Sequence, residues 1–409
     1  MPSATASPSR PRRLPPLSRS GGFGLHTSVL VGLLAASSAP TPLYAEYQAQ
    51  WHFSALTLTI VFSAYALALL VALLVAGTLS DYLGRRPVLA GALVAEAVSM
   101  AVFATAQGVT ELIAARVVQG LATGVATGAA GAALLDFEHP GHPGRAALTN
   151  SVTPVSGMAA GVLASTGLVQ YAPAPTHTVY LLLLLLFTAQ AALVTRTAET
   201  ASPHRGVWRS LQPGTTVARA SRAAMLLIAP GVVAAWALGG FYSSLGPQLA
   251  RLIAPRAPGA TGGLVFFTLT AGAALTICAT RTRPARAVSA AGAVALVSGA
   301  LLTLLSPHVQ SLTVLFAGTL LAGAGFGAVT QGALRLLLPP AAPDERAGTL
   351  AAYYVLSYLA MSVPAVLAGL LTMRYGLETA VLLYAGSAGL LALAALVALA
   401  TSGRCPHRA

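Results

Sequence analysis

Twelve separate stretches of this chain are apolar for about twenty residues each, and no other feature restricts its folding as much. A helix needs roughly 20 mostly apolar residues to cross about 30 Å of hydrocarbon. Within hydrocarbon every backbone N–H and C=O must be paired inside the protein, which leaves helices or closed barrels, and runs this long read as helices. They lie at 25–44, 56–79, 87–106, 112–135, 147–169, 178–195, 223–246, 262–279, 287–305, 312–338, 348–373 and 379–401, spans 1 to 12 in chain order. Of the 409 residues, 56% are hydrophobic and only 8% charged, with a mean hydropathy of +0.75. Soluble chains are about 25% charged, so a water-soluble enzyme is excluded.

The net charge is +13, and all 23 basic residues are Arg, since the chain has no Lys. Such a balance fits either nucleic acid or a membrane surface, and the positions of the arginines decide between them. An even number of spans puts both ends on one side. The connections after spans 1, 3 and 5 carry no Arg, and with the N-terminus in the cytoplasm 19 arginines fall inside. Only Arg251, Arg256 and Arg374 fall outside, and Arg116 lies within a span. This is the positive-inside pattern. The excess charge records topology and calls for no nucleic-acid partner.

Cys278 in an apolar run and Cys405 near the C-terminus make neither a disulfide framework nor a metal site, and no cofactor is implied. His139 and His142 fall in a loop, and no His/carboxylate cluster occurs within the spans, so nothing supports an enzyme. Residues 1–22 hold four arginines among Pro and Ser without an apolar core, and read as a disordered cytoplasmic tail rather than a cleaved signal peptide. The polar stretch 196–222, with five Arg, two Pro and two Gly, divides the spans six and six and reads as a cytoplasmic linker. The expected organisation is therefore a bundle at 23–195, the linker, a bundle at 223–401 and a tail at 402–409. Short echoes between the halves, such as Gly144-Arg145-Ala146 before span 5 and Glu345-Arg346-Ala347 before span 11, support a parallel repeat.

Between spans 2 and 3 the chain reads Gly77, Thr78, Leu79, Ser80, Asp81, Tyr82, Leu83, Gly84, Arg85, Arg86, Pro87, Val88, Leu89. This resembles the signature loop of the major facilitator superfamily, G-x-L-x-D-x-x-G-R-R-x-x-L, at every spaced position. The resemblance implies an all-α membrane protein whose twelve transmembrane helices form two pseudo-symmetric six-helix bundles with cytoplasmic termini. It also implies that Gly77, Asp81, Gly84, Arg85 and Arg86 latch the halves in the outward-facing state, with Asp136 as the acidic partner at the end of span 4. The plainer reading is that Arg85 and Arg86 only set topology.

In span 4, Arg116, Gln119, Thr123 and Thr127 share a polar face beside a stripe of Gly120, Gly124 and Gly128, as in a helix that lines a cavity and packs closely on a partner. The superfamily's span-4 motif has the same Arg and downstream glycines, which implies a part in proton coupling; the alternative is that Arg116 snorkels to the outer interface. Two departures count against the antiporter branch. Span 5 reads Thr153, Pro154, Val155, Ser156, Gly157 without that branch's Gly-Pro step, and the loop after span 8 keeps Arg281, Arg283 and Arg286 without an acidic partner.

No Gly-rich phosphate loop with Lys is present, so an ion gradient is the expected energy source. A charge near the bilayer centre costs roughly 2.5–3.5 kcal/mol even on the insertion scale, and Glu96 is the only acidic residue near the middle of a span. It is either a proton carrier or a buried structural carboxyl. Glu46 and Glu111, near the outer ends of spans 1 and 4, are further candidates to pair with Arg116, the plainer reading of each being a solvated end residue. The expected substrate path runs past Ser38, Pro40 and Pro42 of span 1, Gln119 and Thr123 of span 4, Trp236 and Ser243 of span 7, Gln331 of span 10, and Tyr354 and Tyr358 of span 11. Aromatic and Met surfaces with few fixed charges suit amphipathic organic molecules better than sugars or phosphate esters.

The leading expectation is proton-coupled efflux of drugs or toxic metabolites, with a small-molecule substrate, protons and the lipid bilayer as partners, and with a monomer as the family default. A metabolite exporter or a proton symporter for uptake is the nearest alternative, and a non-transporting membrane sensor is another. Abundant Ala and Arg without Lys point to a GC-rich bacterial genome, hence to a multi-pass protein of the bacterial inner membrane.

Overall fold

The structure is a computed structural model that describes residues 17–202, 206, 211 and 214–402. Among the described residues there are helices and loops and no strand. All twelve spans form. The first consists of two helices, α1 (Arg19–Ser38) and α2 (Pro40–Trp51), joined at Ala39. Pro40 has no N–H for the helix ladder, so the chain bends there, while the Ala39 N–H still reaches the Ala35 carbonyl at 2.9 Å and keeps the joint closed.

Helix α1 begins earlier than expected. Ser18 caps it by accepting the Gly21 N–H at 3.1 Å, so residues 19–22 belong to the first helix and not to a disordered tail. Serine at that position satisfies an otherwise orphaned donor, which starts the helix before its apolar run begins. The rest of the tail (1–16), most of the central loop between 203 and 213, and 403–409 at the other terminus lie outside the described residues.

The first half continues with α3 (Ala55–Ala76), the short α4 (Leu79–Leu83), α5 (Arg85–Thr105), α6 (Val109–Asp136), α7 (Arg145–Tyr171) and α8 (Pro175–Val194). A 3-10 turn at Arg219–Ser221 opens the second half. It is followed by α9 (Arg222–Ser244), α10 (Gly246–Ile253), α11 (Ala260–Thr280), α12 (Ala285–His308), α13 (Leu312–Leu337), α14 (Arg346–Tyr375) and α15 (Leu377–Thr401). One core is built within the first half around Leu33, Phe103, Tyr180 and Phe187. A second, around Phe241, Leu296, Val329 and Tyr384, is built almost wholly within the second half. The two bundles touch along two lines, α3 against α14 and α7 against α11.

Lipid is as apolar as the helices, so close contact between helices must come from shape rather than from escape from water. Helix α6 achieves this with its glycine stripe. A Cβ at Gly120 would strike the Tyr65 carbonyl, and one at Gly124 would strike Leu69 and Ala72 of α3. Helix α13 repeats the arrangement in the second half, where Gly323 and Gly327 lie against the backbone of Leu269 and Ala273 in α11. Large side chains such as Leu185, Leu226, Leu275 and Leu390 are exposed on the outer surface, where hydrocarbon would meet them.

Candidate functional site

Between the two lines of contact lies a chamber of about 1070 Å³. The first half contributes Ser38, Phe62, Tyr65, Thr123 and Met158 to its wall; the second contributes Trp236, Ser243, Phe266, Phe326, Gln331, Tyr354, Tyr358 and Met361. Trp236 is the hub of an aromatic cluster, with ring centroids 5.5 Å from Phe326 and 5.1 Å from Tyr358. Gln331 bridges two helices, accepting from the Thr280 hydroxyl at 2.9 Å and donating to the Ile277 carbonyl at 3.1 Å.

The chamber reaches the face of the molecule where the first and last described residues lie, the terminus face, and there His142, Arg145, Arg281, Thr282 and Arg335 form its mouth. The opposite end is sealed by uncharged contacts. Gln248 Nε2 donates to Gln48 Oε1 across the halves at 3.3 Å, and Gly263 of α11 sits directly on Thr166 and Pro42. Nearer the middle, the Ser63 hydroxyl donates to the Ser362 carbonyl of α14 at 3.3 Å.

Seven expected path residues thus line the chamber: Ser38, Thr123, Trp236, Ser243, Gln331, Tyr354 and Tyr358. Three do not. Pro40 forms the bend between α1 and α2, Pro42 packs in the seal, and Gln119 is turned away to a buried arginine. A helical wheel gives neighbours along one helix but not which flank a partner helix covers, and α5, which reaches Ala115 and Thr123 one turn to either side, takes the Gln119 flank.

That arginine, Arg116, is 1% exposed. It donates to the Tyr44 hydroxyl at 3.1 Å, the Ser37 carbonyl at 3.0 Å and Gln119 Oε1 at 2.8 Å. The rings of Tyr44, Tyr65 and Phe103 lie 5.3–5.7 Å from its guanidinium carbon, within cation–π range. It therefore points into the first bundle and does not snorkel. Glu111 does not join it: that side chain is exposed in the first turn of α6, five residues away and on another face.

Glu96 of α5 is fully buried. The Thr123 hydroxyl donates to its Oε1, and its Oε2 has no hydrogen-bond partner. No ion pair reaches it among the described residues. Thr123 borders the chamber but is itself fully buried there, so this carboxyl stands one buried hydroxyl behind the chamber surface, on a helix that contributes no residue to the chamber.

The signature loop lies at the terminus face. Arg85 pairs with Asp81, reaches Asp136 Oδ2 at 3.4 Å and donates to Ser80 Oγ at 2.7 Å. Gly84, at φ +101°, makes the turn into α5 and has no side chain with which to cap it. Glu199, just past α8, supplies that cap by accepting the Arg85 and Arg86 N–H groups at 2.8 and 3.0 Å, a favourable place for a carboxylate at a helix N-terminus. The Arg86 side chain is exposed. Thr200 donates to Asp136 at 2.7 Å, and Arg19 to the Asp136 carbonyl at 3.1 Å. Glu199, Thr200 and Arg19 were not identifiable from the loop motif, since they reach it only through tertiary packing. None of these partners belongs to the second bundle: Arg19 opens α1, and Glu199 and Thr200 stand at the start of the central polar stretch. A cavity of about 500 Å³ separates Gly77 and Thr78, at the end of α3, from Asp344, Glu345 and Gly348 at the start of α14.

Two six-helix bundles around a chamber open at one face and sealed at the other define a membrane carrier. The Major Facilitator Superfamily profile matches residues 27–281, and the chain belongs to that family. It is a multi-pass membrane transporter and not an enzyme. No curated protein matches it by sequence. Among solved structures, a mutant of the nucleoside transporter NupG superposes with a TM-score of 0.71 at 12% identity, covering 93% of this chain and 100% of that one. The human organic anion transporter MFSD10 (TETRAN) superposes with a TM-score of 0.66 at 18% identity, covering 92% and 98%. At these identities the likeness is one of fold.

Proposed function

We propose that this transporter exports amphipathic organic molecules in exchange for protons, from the terminus face to the sealed face. The arginine distribution supports placing the terminus face in the cytoplasm of a bacterial cell. The observation that carries the reading is the contact between Glu96 and Thr123, which couples a buried carboxyl to the wall of an aromatic chamber.

When Glu96 is charged, it holds the hydrogen of the Thr123 hydroxyl. When Glu96 carries a proton, it can donate to Thr123 Oγ, and the hydroxyl can turn its own hydrogen toward the chamber. Protonation behind the wall thereby changes what the wall offers a substrate, and differential binding of this kind is what a coupled cycle requires. Arg116, caged by rings and neutral oxygens beside this pair, holds a fixed positive charge in the same bundle. Closure of the terminus face would bring α14 toward the signature loop across the smaller cavity, which supports a latch role for Asp81, Arg85 and Asp136 with Gly77, Gly84 and Arg86 shaping the loop.

The test is growth of an efflux-deficient bacterial host expressing the chain across a panel of antimicrobial and metabolite compounds. Protection against a subset, lost in Asp81→Asn and Glu96→Gln and abolished by a protonophore, is the expected result. Confirmed membrane expression with no protection against any compound would overturn export and favour a metabolite carrier.

A further inference from the structure

We infer that the chamber selects aromatic organic anions, with the acidic head group held by arginines at the mouth and the ring body held by the Trp236 cluster. This rests on the transport reading above and adds the charge of the substrate. No Asp or Glu lines the chamber, whereas Arg145, Arg281 and Arg335 do. None of the three is in an ion pair among the described residues. Three other carboxylates of the described residues are engaged elsewhere: Glu138 accepts the Ala146 N–H at 2.8 Å, and Asp344 and Glu345 line the separate small cavity. Glu96 lies behind Thr123 and outside the wall.

Arg281 and Arg335 sit at the C-terminal ends of α11 and α13, where a cation also complements the helix dipole. Arg145 has no such explanation. It is the first residue of α7, where a positive charge opposes the dipole, and its guanidinium is held over the Phe23 ring at 5.2 Å. An aromatic wall alone favours cations, so any preference for anions has to come from the mouth; a mouth of one sign with low-dielectric walls concentrates the opposite charge, by about tenfold or more. The spacing also fits. Phe326 and Arg335 are on the same chamber-lining stretch of α13, about 13 Å apart along the axis at 1.5 Å per residue, a span bridged by a two-ring body, its acidic group and an extended Arg side chain.

The test uses the purified full-length protein and two probes of equal ring size, naphthalene-2-sulfonate and 2-naphthyltrimethylammonium. Binding is read from quenching of Trp236 fluorescence, with Trp236→Phe as the blank, and flux from uptake into proteoliposomes. The sulfonate is expected to bind at least tenfold more tightly, with affinity falling as salt rises. Arg281→Gln with Arg335→Gln should reduce the preference to threefold or less, while Arg374→Gln, on the opposite face, leaves it intact. Equal or tighter binding of the cation, or a preference untouched by the double variant, overturns the inference. Transport of the cation in preference would overturn it while leaving the transport reading standing. Selective sulfonate binding without flux of either probe would uphold it and overturn the transport reading.

Discussion

Arg116 and Glu96 are both buried, yet the protein treats them differently. The arginine has three oxygen acceptors and three rings around it; the carboxyl has one hydroxyl and an oxygen left bare. A fixed charge is expected to be fully surrounded, and a group that gains and loses a proton needs an unfilled position. Glu96→Gln is therefore expected to abolish proton-driven flux in proteoliposomes and to make substrate binding, measured without a gradient, independent of pH. Thr123→Val should behave likewise, and retention of gradient-driven flux in both would rule out this route. Trp236→Ala removes the hub of the aromatic wall and should weaken substrate binding about tenfold, near 1.4 kcal/mol, as read by ligand titration. The polarity of the wall was legible in the sequence, because Trp236, Tyr354 and Tyr358 stand out in their spans. The misplacement of Gln119 and Glu111 has a shared cause: periodicity orders side chains around one helix, but only the neighbouring helices decide which of them face the chamber.

At the scale of helices, glycine does work that side chains do in soluble proteins. The stripe on α6 was legible because Gly120, Gly124 and Gly128 recur at helical spacing, and the structure supplies the surface it meets on α3. Gly124→Leu is expected to push α6 off α3 and lower the thermal midpoint of the detergent-solubilised protein by several degrees. Gly24→Leu, at a position where a Cβ would meet nothing within 4 Å, should leave it unchanged. Equal effects would mean that helix propensity rather than close packing decides. The turn at Gly84 is a second such point. With φ at +101°, ψ at +148° and the Glu199 carboxylate against it, Gly84→Ala adds about 1–3 kcal/mol of backbone strain, this region being essentially restricted to glycine, and displaces the cap of α5; reduced transport with normal membrane insertion is the expected outcome. The motif marked this loop, but Glu199 lies 115 residues from Gly84 in the chain, and no local pattern connects them.

For the molecule as a whole, twelve spans and a six-plus-six division could be read from hydropathy and the central polar stretch, since lipid tolerates few alternatives to long apolar helices. Which face is open could not be read, because it depends on the relative tilt of two bundles that make separate cores. Joining the halves at the sealed end should stop the cycle. With Cys278→Ser and Cys405→Ser as background, Gln48→Cys with Gln248→Cys is expected to cross-link under oxidation and cut flux at least tenfold, with recovery on reduction. Persistent flux in the cross-linked protein would mean that this end does not open.

The seal of neutral side chains and backbone at that end has a kinetic consequence. Parting Gln48 from Gln248 and Gly263 from Thr166 separates no ion pair, whereas closing the opposite face brings a cluster of carboxylates and guanidinium groups toward a second helical bundle. Screening by dissolved ions acts on charges that approach or part and hardly at all on neutral contacts. The two halves of the working cycle should then respond differently to ionic strength, and the step that resets the terminus face would be the one that added salt speeds or slows.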